Sequence, residues 1–237
     1  DVLFFTSGAT EANNLAILGL RNHILSQPNP HIITTAIEHK AVLEPIEQLE
    51  KQGADVTYIQ VDERGWPDPQ RLNDALKPET VLVSTMHVNN ETGVEFPLSK
   101  YAEILADHPT FWHVDAAQGL GKKTGPLGNK RIDLISYSGH KLFAPKGIGA
   151  LVARRRGFTR PPLEPLMFGG GQERGLRPGT LPVALIAGFG LAAELAEEEK
   201  EHRIKECLTR REEFLQAISP LQPVFNGDQE RVLPHIV

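Results

Sequence analysis

Short apolar runs alternate with amphipathic, helix-length segments from residue 2 to residue 153, and this alternation leaves few folds open. The runs 2–5, 31–36, 55–61, 80–86, 110–114, 132–137 and 147–153 read as strands; 11–25, 40–52, 69–76 and 98–107 read as helices. The 40–52 segment shows the logic, because Val42, Leu43, Ile46 and Leu49 fall on one face, as they must in a helix that covers a sheet. Strands that take turns with helices predict a mainly parallel sheet with helices on both faces. With 40% hydrophobic residues in 237, the chain can fill one sizeable core. A Pro- and Gly-rich stretch, 157–180, reads as a loop that carries function, and a long helix is expected near 182–217. No internal repeat or low-complexity tract interrupts the pattern.

Open α/β sheets bind ligands just beyond the carboxyl ends of their strands, so the residues there matter most. After the strand 132–137 comes Ser138-Gly139-His140-Lys141. A lysine amine so placed can form a Schiff base with the aldehyde of pyridoxal phosphate (PLP), while Ser138 and His140 can hydrogen-bond a phosphate. After the strand 110–114 comes Asp115, then Ala116-Ala117-Gln118. A carboxylate there can keep the PLP pyridine nitrogen protonated, so that the ring withdraws electrons from a substrate Cα, and Gln118 can reach the phenolic oxygen. Two plainer readings of Asp115 stand beside this one. Asp commonly caps a following helix, and His113 with Asp115 shares a strand face, as a metal pair would. The metal reading lacks a third ligand at a recognisable spacing, an HExxH run and paired cysteines.

The strand 2–5 runs into Thr6-Ser7-Gly8-Ala9-Thr10, whose small residues at a helix start suit an anion, or simply a cap by Thr10. No Lys follows the glycine as a nucleotide P-loop requires, which disfavours a nucleoside triphosphate. In Glu38-His39-Lys40 an imidazole again follows a strand; it can stack on a flat cofactor and move protons, or merely sit in solvent. In His87-Val88-Asn89-Asn90-Glu91-Thr92-Gly93 an amide can bind a substrate carboxylate or a cofactor oxygen, although the composition is also that of an ordinary turn.

Ser7-Gly8-Ala9-Thr10-Glu11, Glu38-His39-Lys40, His87 to Gly93, Val114 to Gln118, Ser138 to Lys141 and Gly169 to Thr180 occur in one order along the chain. In that order they resemble the motifs of NifS/IscS-type cysteine desulfurases, PLP enzymes of fold type I in the class V aminotransferase group. The resemblance implies a large PLP-binding domain with a seven-stranded type of sheet. It makes Lys141 the Schiff-base lysine, pairs Asp115 with the pyridine nitrogen and Gln118 with the phenolic oxygen, and stacks His39 on the ring. Ala9, Thr10, Ser138 and His140 would hold the phosphate, and Asn90 would lie beside cofactor and substrate. Thr180 would reach the phosphate of a neighbouring subunit, which implies a homodimer with composite sites. The implied reaction takes L-cysteine to alanine and passes sulfur to an acceptor protein, as in iron–sulfur cluster assembly. Selenocysteine lyase, another class V reaction, or a catalytically incomplete PLP-binding fragment are the alternatives.

The same resemblance implies a catalytic cysteine on a mobile downstream loop and a carboxylate-binding arginine further on. The chain therefore reads as an internal fragment: a large domain over 1–218 without its N-terminal segment, and the start of a small C-terminal domain over 219–237. Cys207, the only cysteine, stands on the long helix beside Glu206, which disfavours a thiolate, so it is expected to be inert. One cysteine rules out an intrachain disulfide and suits a reducing, cytoplasmic setting. A net charge of −5 gives no reason to expect nucleic acid; the single tight basic run, Arg154-Arg155-Arg156, reads as a solvated turn. No apolar stretch reaches the roughly 20 residues of a membrane span.

Overall fold

The computed structural model describes residues 1–237. Seven strands form one sheet in the order β1 (Val2–Thr6), β7 (Gly149–Ala153), β6 (Leu134–Ser138), β5 (Phe111–Asp115), β4 (Thr80–Met86), β2 (His31–Thr35) and β3 (Asp55–Ile59). Strand β7 runs antiparallel to both its neighbours, and every other pairing is parallel. Six strands therefore end along one edge of the sheet, and the loops after them share one rim.

The two-residue period of the strands divides the core. Ile32, Leu82, Leu134 and Leu151 face the layer of α1 (Ala9–Leu18), α2 (Arg21–Leu25) and α3 (Lys40–Lys51), packing against Leu15, Ile24, Val42, Ile46 and Leu49. Their neighbours Ile33, Val83 and Ile135 turn the other way, toward α4 (Pro69–Ala75) and α5 (Leu98–Ile104), and pack with Leu72, Tyr101 and Trp112. Strands buried on both faces need apolar residues at odd and even positions alike, which is why they read as continuous runs. A third cluster seats Phe189 and Ala196 of α6 (Val183–Glu198) against Leu142, Ile148 and Ala150.

Three expectations need correction. The helix predicted over 11–25 is two helices, because the Gly19 carbonyl accepts the Glu164 amide at 2.9 Å from the loop that crosses it. The helix near 182–217 is also two, α6 and α7 (Lys200–Ile218), with Glu199 between them at φ −94, ψ 2. No Gly or Pro marks that break in the sequence. Finally, Arg154 and Arg156 are not a solvated turn. Because β7 runs antiparallel, they emerge at the edge opposite the six strand ends. There Arg156 forms an ion pair with buried Asp133 at 2.6 Å, and Arg154 donates to the Leu127 carbonyl at 2.7 Å. Arg131 completes the cluster at 2.9 Å from Asp133, whose Oδ2 also accepts the Trp112 amide at 2.7 Å. The basic run is structural: it binds the start of β6 to its neighbours.

Candidate active site

Strand ends bring the motifs to one rim, and a cavity of about 500 Å³ opens there, a size suited to a small ligand. Ala9, Thr10, His39, Asn90, Asp115, Gln118, Ser138, His140 and Lys141 all line it. Thr180 does not; it is exposed on the loop before α6.

Asp115 is the last residue of β5 and is buried. The helix-cap reading falls, because no helix follows: Oδ1 accepts the Ala117 amide at 2.9 Å in a tight turn. Oδ2 accepts from Asn13 Nδ2 at 2.7 Å. Burial pushes the Asp115 carboxyl above its usual range, and the Ala117 amide, the Asn13 amide and the charge of His39 pull against that rise. The metal reading of His113 and Asp115 also falls. His113 is wholly buried between Ser84 Oγ at 2.8 Å and Ser136 Oγ at 2.9 Å, burial pushes its ring down to about 3, and no group of three metal-ligating side chains forms.

His39 serves two ends. Its Nδ1 accepts the Ala41 amide at 3.0 Å, capping α3, so the ring proton belongs on Nε2. The loop that holds it is fixed from behind by Glu38, whose Oε1 accepts from Thr35 Oγ1 at 2.6 Å and from the Met86 amide at 2.9 Å. Burial pushes Glu38 up to about 8, against those two hydrogen bonds, and the charge of Asp115 adds to the rise. The two asparagines of the β4 loop divide their work. Asn89 is structural: its Oδ1 accepts the Glu91 and Thr92 amides and its Nδ2 donates to the Ile37 carbonyl. Asn90 is left to face the cavity.

The β1–α1 turn supplies unpaired amides. Ala12 makes the first intrahelical bond of α1, to Gly8, so the amides of Ala9 and Thr10 point out of the helix end. Gly8, not Thr10, is the capping residue. Glu11 braces this turn. Burial pushes its carboxyl up, but hydrogen bonds from Arg177 (2.8 Å) and the Ser7 amide (2.6 Å) bring it below the usual range. Ser138 Oγ and His140 Nδ1 lie 3.0 Å apart across the cavity's other wall.

The sequence reading missed Asn13, Glu38 and Lys122. Lys122 Nζ donates to the carbonyls of Gln118 and Lys141, both at 3.3 Å, tying two site turns together, and burial pushes its amine down to about 8. The signal for Asn13 was present, since a polar residue falls on the buried face of α1. Beyond Lys141 a second hollow of about 770 Å³ is lined by Lys122 and Cys207 among others.

Comparison with known proteins bears on this geometry directly. The profile of the class-V aminotransferases matches residues 1–231. The chain belongs to the class-V aminotransferase family. Cysteine desulfurase IscS of Vibrio campbellii is 44% identical over 98% of this chain, which spans 57% of that relative. The crystal structure of DndA from Streptomyces lividans superposes with a TM-score of 0.95 at 51% identity, over 98% of this chain and 65% of that one. SspA in complex with cysteine matches with a TM-score of 0.74 at 43% identity, over 81% of this chain and 55% of that one. The chain thus spans a little over half of the curated relative. Class-V aminotransferases are PLP enzymes, and PLP is the cofactor of this member. The cavity fits it: a buried carboxylate has lone pairs left for a ring nitrogen, free helix amides stand ready for a phosphate, and a lysine lines the same cavity.

Proposed function

We propose that this chain carries the cofactor-binding part of a PLP-dependent cysteine desulfurase, which converts L-cysteine to L-alanine and leaves the sulfur as a persulfide on an enzyme thiol. One observation carries the reading: Lys141, Asp115, Gln118, His39 and the free amides of Ala9 and Thr10 surround a single cavity. When bound, PLP supplies an electron-withdrawing ring that acidifies the substrate Cα–H.

The protein's own residues do the rest. Lys141, whose amine lines the cavity, would hold the cofactor through its aldehyde, and its Nζ is the group that would move a proton at the substrate Cα. Asp115 would pair with the pyridine nitrogen and Gln118 with the phenolic oxygen. His39 would lie against the ring with Nε2–H free to donate. Ala9, Thr10, Ser138 and His140 would hold the phosphate, and Asn90 would stand beside the substrate. In this reading Thr180 belongs to a neighbouring subunit's phosphate site, which accounts for its distance from the cavity of its own chain and makes the enzyme a homodimer. Residues 219–237 open a smaller C-terminal domain. The persulfide forms on a cysteine other than Cys207, for delivery to an acceptor protein such as one that assembles iron–sulfur clusters, in the cytoplasm. Similarity to IscS and to SspA in complex with cysteine supports the substrate.

The deciding experiment is Lys141→Ala. The variant should lose the visible absorption of the lysine-linked cofactor and the borohydride-reducible bond to protein, with L-cysteine turnover falling by at least ~10³-fold. A reducible link that persists through another lysine refutes the assignment.

A further inference from the structure

Asn13 has no place in the chemistry above, yet it is completely buried on α1 and reaches residue 115 on β5 with a 2.7 Å hydrogen bond. Its other polar atom, Oδ1, is buried without a partner. A side chain that served only to pack would be apolar here, since an unpaired buried carbonyl is unfavourable. The amide is present for the bond that its Nδ2 makes. Reversing it would set Oδ1 against the Asp115 carboxylate, so that contact fixes its orientation.

We infer that Asn13 is the positioning residue of Asp115: it fixes the carboxylate plane and supplies a donor that favours its charged form toward the cofactor's ring nitrogen. The inference rests on the site assignment proposed above and deepens it. Two bonds hold the carboxylate, one on each oxygen, the Ala117 amide on Oδ1 and Asn13 on Oδ2. Held at both oxygens, the group cannot turn about its Cβ–Cγ bond, and its remaining lone pairs keep one direction. A donor to the charged form favours that form, and here it works against the desolvation that burial imposes. Other ionisable groups face Asp115 from Glu38 and His39 of the β2–α3 turn, and Lys141 lines the same cavity. None of them forms a hydrogen bond to the Asp115 carboxylate.

The test uses the protein expressed from its whole reading frame and compares Asn13→Leu, Asn13→Asp and Asp115→Ala with the parent. Folding is checked by thermal melting, and PLP dissociation is measured by fluorescence titration from about pH 5 to 8. Asn13→Leu keeps the branched shape and removes the donor; it should bind PLP roughly tenfold more weakly, the scale of one charge-assisted hydrogen bond, and shift the visible band. Asn13→Asp sets two carboxyl groups together, which share one proton and do not both ionise readily. Its deficit should be large near pH 8 and shrink toward pH 5, where the protonated Asp can donate as the amide did. Folded Asn13 variants with parental affinity, spectrum and pH profile, alongside a weakened Asp115→Ala, overturn the positioning role alone. Parental binding in all three overturns it together with the assignment of Asp115. Should Asn13→Leu fail to fold, the pH profile of Asn13→Asp decides the matter.

Discussion

Cys207 and His39 show how a residue's setting limits what it can do. His39 spends Nδ1 on the cap of α3, so only Nε2 is free toward the cavity. Its ring therefore serves as a surface and a donor before it can serve as a base. Cys207 sits on α7, within a regular helix that fixes where its thiol points. Sulfur delivery demands a thiol that travels from cofactor to acceptor. Replacing Cys207 by Ser in the whole protein should leave alanine release from L-cysteine within about twofold of the parent, as for substitutions away from the chemistry. Peptide mass mapping should find the extra sulfur on another cysteine. A dead Cys207→Ser protein with PLP still bound, or a persulfide on Cys207, makes this thiol the nucleophile.

At the scale of elements, β7 shapes the site although no residue of it lines the cavity. Gly149 pairs with Thr6 on one side and with Ser138 on the other, the two strand ends that lead into the phosphate-facing turns. A Cβ added to Gly149 would lie 2.6 Å from the Gly8 backbone and 2.6 Å from the Tyr137 carbonyl. Gly149→Ala should therefore push the β1–α1 turn outward. It should destabilise the fold by about 1–3 kcal/mol, as overpacking does, and weaken PLP binding by roughly tenfold. Parallel melting and PLP titration would check this; unchanged affinity would mean that the Gly8 turn is not the phosphate cradle. The strands themselves were legible because apolar runs punctuated by Gly and Asp mark them, and 80–86 matches β4 residue for residue. Helix breaks at Gly19 and Glu199 were not, because a crossing loop and a single-residue turn leave no periodic trace. The lining residues at strand ends were readable from their motifs, whereas Asn13, Glu38 and Lys122 act through partners 102, 48 and 19 residues away; local pattern marks Asn13 as a polar residue on a buried face but names none of these partners.

The whole molecule answers pH through groups buried around this rim. Burial pushes Glu38 up to about 8, and it pushes the rings of His87 and His113 down to about 4 and about 3. His235, partly desolvated, is pushed down to about 4 as well, with the charges of Lys122 and Lys141 adding to the effect. The signs oppose one another. A histidine depressed in the folded state contributes stability above its unfolded value of 6.5 and loses it as pH falls through the folded value. A carboxyl raised in the folded state contributes fully below its unfolded value of 4.5 and loses that contribution as pH climbs to about 8. Between 4.5 and 6.5 three histidines outweigh Glu38, so stability rises with pH. From 6.5 to about 8 Glu38 alone carries the balance, and stability falls. The cofactor-free protein should thus be most stable near pH 6.5, measured as the urea midpoint across this range. Glu38→Gln keeps an acceptor for the Met86 amide and Thr35 hydroxyl but cannot ionise, so it should flatten the decline above pH 6.5 and leave the acid limb unchanged. An alkaline decline as steep in Glu38→Gln as in the parent would assign it to another group and leave Glu38 as a brace without a titrating role.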